Sequence, residues 1–156
     1  MSTQIETHPH SAQMGSATTA VRFVLAALAY IIPTFPLGYF WHLEIFRHTY
    51  ASLAVFRPDI TIPLGVASML IQGIIWAYLY WRLFRHETVV VGALKFAAIA
   101  MPLAWSFLVV AVAAKHHMSS VSGFLQIETA FIAVQYVVVS PLIALAFSYR
   151  RAGAPV

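Results

Sequence analysis

The chain opens with a polar stretch of small residues, Met1 to Ala20, and then alternates long apolar runs with short polar breaks. The apolar runs cover residues 21–41, 60–84, 89–114 and 121–149. Each reaches the roughly 20 residues a helix needs to cross a hydrocarbon core. The last three exceed it, which implies tilt or extension beyond the lipid. Backbone amides in lipid need partners within their own segment, so these runs read as helices and not strands. The pattern predicts an all-α fold: a polytopic membrane protein made of an antiparallel bundle of four transmembrane helices. Residues 1–20 read as a flexible tail and residues 152–156 as a second, shorter one.

Prolines punctuate the runs. Pro33 and Pro36, Pro102 and Pro141 fall inside the first, third and fourth spans and should kink them or free a carbonyl. Pro63 falls in the first turn of the second span, where a missing N–H costs little. Gly73/Ala77 and Ala100/Ala104 are small pairs four residues apart, a spacing that permits close helix approach. The longest break is His42 to Asp59. There Leu43, Phe46, Tyr50 and Leu53 recur at helical spacing, which predicts either an extension of the first helix or an amphipathic surface helix. The breaks after spans two and three are short, so spans two to four should be antiparallel neighbours.

Composition reinforces this reading. Hydrophobic residues make up 61% of the 156 residues and charged residues 9%, against about 25% charged in soluble domains. A soluble enzyme, a disordered chain and a disulfide-stapled secreted domain are excluded. The net charge of +4 does not argue for nucleic acid, because nearly all Lys and Arg flank the apolar runs. The chain has no cysteine, so thiolate chemistry is absent. The N-terminus lacks a charged signal region, and the first run reads as a retained span. His8 and His10 in the tail read as solvated. Arg22, Arg82, Arg85, Arg150 and Arg151 lie on one side, and Arg47, Arg57 and Lys115 on the other, which favours both termini in the cytoplasm.

Polar residues inside the spans are the candidate chemistry, since ionisable groups in a bilayer are costly. They are Lys95 and Glu128, with Gln135, Ser106, Ser68, Gln72 and Tyr39 near them in depth. A direct Lys95–Glu128 pair is excluded by depth. At about 1.5 Å per residue, Lys95 lies roughly 28 Å from the loop joining their helices and Glu128 about 12 Å from it. The polar residues fall instead into two layers. Glu128, Ser106 and Ser68 form one, beside Tyr39 or His42; Lys95, Gln135 and the tyrosines at 30 and 78 or 80 form the other. Gln72 lies between them. Glu128 and Gln135 are seven apart and share a helix face. A snorkelling Lys95 is the alternative to an inward-facing one.

His42, His48, His116 and His117 share the side opposite the termini, and Glu44 stands four residues before His48. Imidazole and carboxylate at that spacing suit Zn, Cu or Fe, and two facing histidines suit haem. No fixed metal-binding spacing repeats, so no cofactor is predicted and a metal or haem at this cluster is the alternative. Tyr39, Trp41, Tyr78, Tyr80, Trp81 and Tyr149 read as interfacial aromatics.

The stretch Leu37-Gly38-Tyr39-Phe40-Trp41-His42, followed by Phe46 and Tyr50, resembles the first-span pattern of small bacterial inner-membrane families of unknown function. That resemblance implies a four-helix inner-membrane protein and no particular chemistry. The Arg-rich pattern of the four-helix glutathione-transferring membrane enzymes is absent from these spans. The functional expectation is a membrane protein that binds or permeates a small amphipathic molecule or ion. Its polar interior would centre on Glu128, Gln135, Lys95, Ser106, Ser68, Gln72 and Tyr39. Two alternatives stand beside it: an accessory subunit of a larger membrane complex, and a metal or haem redox protein using His42, Glu44, His48, His116 and His117. The expected partners are the lipid bilayer and a homo-oligomer or larger complex.

Overall fold

Helix begins well before the apolar register does. In the computed structural model, which describes residues 9–148, α1 runs from Pro9 to Tyr39, so much of the expected tail is helical. His8, Tyr149, Arg150, Arg151 and residues 152–156 lie outside the described residues. α1 widens into a π-helical turn at Phe40–Ile45. A short helix follows, α2 (Arg47–Leu53), then α3 (Ile62–Leu83) and α4 (Val89–Trp105). α4 widens in turn at Ser106–Val110 and continues as α5 (Ala111–Lys115). α6 spans Val121–Ser148.

Four of these stretches are long and apolar enough to cross a membrane: Thr19–Ile45, Ile62–Leu83, Val89–Lys115 and Val121–Ser148. They match the runs expected from the sequence to within a few residues. Their outer surfaces carry exposed Leu, Ile, Val and Phe, among them Leu64, Leu94, Phe107 and Val137. Large apolar surfaces of this kind belong against lipid and not water. The protein is an integral membrane protein with a four-helix bundle.

α6 is the central helix. Half of its most apolar window is buried, against 17–22% in the other three spans. α1 packs between α3 and α6, and α4 packs on α6. Small residues set these approaches. A methyl group added at Gly73 would lie 3.1 Å from the Ala27 carbonyl oxygen, so the α1–α3 crossing depends on that glycine. Ala77, Ala26 and Ala100 are fully buried or nearly so. Spans two and three, expected as antiparallel neighbours, meet mainly through side chains. The α3 and α4 backbones meet little, and aromatic rings bridge them, with Trp76 and Tyr80 edge-on to Phe96.

α2 resolves the choice left open for the long break. It is a separate helix, and it turns Tyr50 and Leu53 into the bundle and not toward lipid. Its C-terminal carbonyls would otherwise lack partners. Ser119, from the connection before α6, supplies two: its N–H donates to the Leu53 oxygen at 3.0 Å and its hydroxyl to the Ser52 oxygen at 2.6 Å. Both π-helical turns begin four residues after a proline, Pro36 and Pro102, and both lie in the half of the bundle away from the chain termini. This half is called distal below.

Candidate functional site

Four residues of α1 and its π-helical extension, Tyr30, Thr34, Gly38 and His42, are spaced four apart and so fall along one face. That face meets Gln135 and Glu128 of α6, themselves seven apart, and the Ser68/Gln72 edge of α3. Two polar clusters result, at different depths.

The deeper cluster is a chain of hydrogen bonds through three helices. Gln135 Nε2 donates to the Tyr30 hydroxyl at 3.2 Å and to the Thr34 hydroxyl at 3.3 Å. Tyr30 donates to Gln72 Oε1, and Gln72 Nε2 donates to Ser68 Oγ at 3.1 Å. Thr34 and Gln135 are buried. The chain supplies interhelical partners where lipid offers none.

The distal cluster is built on Glu128, which is buried on α6. His42 Nε2 lies 3.2 Å from Glu128 Oε1, and the Tyr50 hydroxyl donates to the same oxygen at 2.6 Å. His42 Nδ1 lies 2.8 Å from the Gly38 carbonyl oxygen. A carbonyl only accepts, so Nδ1 carries a proton. Burial pushes the Tyr50 phenol above its ordinary value, and the hydrogen bond to Glu128 and the charge of that carboxylate push it the same way. Tyr50 is therefore a fixed donor at neutral pH. Aromatic rings enclose the cluster. The His42 ring meets Phe131 edge-on at 4.5 Å and lies 4.9 Å from Tyr50, which stacks on Phe56.

Two cavities border this arrangement. The first, about 460 Å³, runs between α1 and α3 from Tyr30, Thr34, Gln72 and Gln135 at its inner end to His42, Arg57 and Thr61 at its mouth. Between them its walls are apolar, including Phe35, Met69, Leu108 and Phe131. Its long axis covers the twelve residues between Tyr30 and His42, about 18 Å of helix. It opens outward, since Phe35, Tyr39 and Ile62 in its walls are exposed. The second cavity, about 490 Å³, lies on the distal surface and is lined by charged Glu44 and Arg47 as well as Tyr50. Tyr39, His42, Leu43, Phe56 and Ile60 line both, so His42 stands in the wall between them.

The structure gathers Gln135, Ser68, Gln72 and Tyr39 at the first cavity, and places Glu128 behind its His42 wall. It does not bring Lys95 or Ser106 there. Lys95 is exposed and its ammonium donates to Glu87 at 2.6 Å, at the α3–α4 connection, which is the snorkelling alternative. Ser106 is exposed, and its hydroxyl is satisfied by the Leu103 carbonyl oxygen of its own helix at 2.8 Å. The histidine cluster does not assemble either. Glu44, His48, His116 and His117 are exposed, and among the described residues no three His, Asp or Glu side chains converge as metal ligands. His42 has both ring nitrogens committed in this arrangement. Two residues of the site escaped the sequence reading. Thr34 was visible in the four-residue spacing of the α1 face. Tyr50 stood out only as one position of the helical stripe in the long break, because its place depends on the turn that returns α2 against α6. No protein-family model, curated protein or solved structure matches this chain.

Proposed function

We propose that this membrane protein binds a small amphipathic molecule in the cavity between α1 and α3. The observation that carries the reading is the cavity itself: apolar along its length, polar at both ends, and within the range of about 300–1,000 Å³ usual for small-molecule sites. Tyr30, Thr34, Gln72 and Gln135 each already have a hydrogen-bond partner in the protein, which limits what an apolar body in the cavity would strand. Its outward opening beside exposed apolar residues suits an occupant that arrives from the bilayer. Membership of a bacterial inner membrane, with both termini cytoplasmic, is the placement that the Lys/Arg distribution and the first-span resemblance support.

Gly65 provides the test. It lines the cavity, and a Cβ added there meets nothing within 4 Å. Gly65→Trp therefore starts from open space and puts a large ring at the cavity wall. Wild-type protein in amphipol should bind dodecanol saturably, and Gly65→Trp should bind it at least about tenfold more weakly, a change of about 1.4 kcal/mol, with unchanged helical content. Equal binding by the two proteins would remove the cavity as the site.

A further inference from the structure

The distal cluster contains a proton count that its geometry dictates. His42 Nδ1 donates to the Gly38 carbonyl, so in a neutral ring Nε2 is bare. Nε2 faces Glu128 Oε1 at 3.2 Å. That contact is attractive only if one proton lies in it, held by the imidazolium or by the carboxylic acid. Without the proton, two lone pairs face each other beside the rings of Tyr50 and Phe131, an uncompensated repulsion. Tyr50 cannot supply the missing proton, because its hydroxyl already donates to Oε1. The cluster therefore holds one exchangeable proton. His42 also forms part of the wall shared by the apolar cavity and the charged surface cleft.

The charges facing this wall choose the kind of occupant. Among the described residues no Asp or Glu lines the apolar cavity, and the cationic groups that line it are Arg57 and, when protonated, His42. Arg57 uses its Nε on Asp59, at 3.2 Å, and both side chains are exposed. A guanidinium has five N–H donors. On the cleft side, α2 contributes Tyr50 and Arg47, and Glu44 stands on the segment of His42 itself. The other described titratable residue of α6 is Tyr136, beside Trp76 and Phe96. Lys115, His116 and His117 lie exposed at the end of α5 and in the connection after it. α3 offers the cavity only Ser68 and Gln72 as polar side chains.

We propose that His42, Glu128 and Tyr50 form a one-proton site coupling the cavity to the surface cleft, and that the amphiphile bound is a carboxylate taken up together with that proton. The inference rests on the cavity being the binding site. The carboxylate lies at the mouth, near Arg57 and the protonated His42 ring, with its chain along the apolar walls. If the pair lacked its proton, it would carry the Glu128 charge beside the carboxylate, a like-charge arrangement. Binding therefore draws a proton to the pair, and by linkage protonation tightens binding by the same factor. The proton enters from the cleft side to the Nε2–Oε1 contact; no covalent bond changes.

The test is calorimetric titration of the full chain in amphipol with dodecanoate, dodecanol and dodecylammonium. It is run in buffers of different ionisation enthalpy across a window of roughly pH 5.5–8.5. Dodecanoate should bind at least about tenfold tighter than dodecylammonium, with uptake of up to one proton per molecule at the upper end of the window. Glu128→Gln removes the charge that opposes the bound carboxylate, so dodecanoate binding should lose its proton uptake and its dependence on pH across the window. Nitrogen NMR of labelled wild-type protein gives a second reading that needs no variant. Dodecanoate should move His42 Nε2 toward the protonated position while Nδ1 stays protonated. Uptake that persists in Glu128→Gln, zero uptake throughout, or an Nε2 signal unmoved by dodecanoate would each overturn the proposal. Saturable dodecanol binding without dodecanoate binding would overturn it and leave the amphiphile site standing. Saturable binding of none of the three probes would remove both.

Discussion

The two halves of the bundle are built on opposite principles. Toward the chain termini, Trp76, Tyr80, Phe96, Tyr136 and Phe147 interlock, and Ala26, Ala77 and Ala100 bring the backbones together. Toward the distal end the helices widen into π-helical turns, a cavity opens, and buried polar groups replace apolar ones. Such turns recur at functional sites because they break regular packing and re-aim side chains. The packed half holds the helices in register, and the open half holds chemistry that packing would exclude. This division makes the halves differ in their response to the same kind of substitution.

The largest contrast is expected at two glycines of α3. At Gly73 a new side chain meets the Ala27 carbonyl oxygen and the Ile31 side chain at about 3 Å. Gly73→Ile should force α1 and α3 apart and cost about 3 kcal/mol, the upper range for overpacking. Gly65→Trp, two turns away and facing the cavity, should stay within about 0.5 kcal/mol of wild type. Unfolding in mixed micelles on titration with SDS, followed by circular dichroism, measures both. Equal losses would erase the distinction between the halves. A second contrast removes atoms. Phe96→Ala empties a ring site enclosed by Trp76, Tyr80 and Tyr136, and should cost about 3–5 kcal/mol. Met69→Ala enlarges a space that already exists at the cavity wall, and should cost about 1 kcal/mol.

The same division explains what could be read before the structure was known. The four spans follow from apolar run length alone, because lipid leaves a chain few alternatives to helix. Glu128 and Gln135 share a face by spacing, and depth arithmetic already separated Lys95 from Glu128. Rotation about each helix axis is a different matter. Lys95 belongs by depth with Gln135, yet the face of α4 that carries Lys95, Pro102 and Ser106 looks outward, and the Lys95 side chain reaches back to Glu87. Ser106 looked like a donor for a ligand, but a serine in a helix has its own carbonyls within reach and needs no other partner. In a membrane helix with apolar residues all round, no periodic stripe marks the inward side. Tyr50 shows the complementary limit. Its partner is 78 residues away in sequence, and the capping of α2 by Ser119 helps fix where that helix lies.

The loss of a single hydrogen bond probes this last point. Tyr50→Phe keeps the ring stacked on Phe56 and removes only the hydroxyl that donates to Glu128. It should cost about 1 kcal/mol, the usual net worth of one hydrogen bond. The pH dependence has a definite sign. The folded phenol is held above its ordinary value, first by burial and then by the Glu128 hydrogen bond and charge. An unfolded tyrosine ionises near pH 10. The stabilisation is thus complete below about pH 10 and is lost as pH rises through the higher folded value. Ultraviolet titration of tyrosinate, wild type minus Tyr50→Phe, should show a phenol that stays protonated well above pH 10. A phenol ionising at its ordinary value would place Tyr50 in open water, with the surface cleft reaching Glu128. The distal cluster would then be an exposed surface network, without the shielding that sets it apart from the cleft.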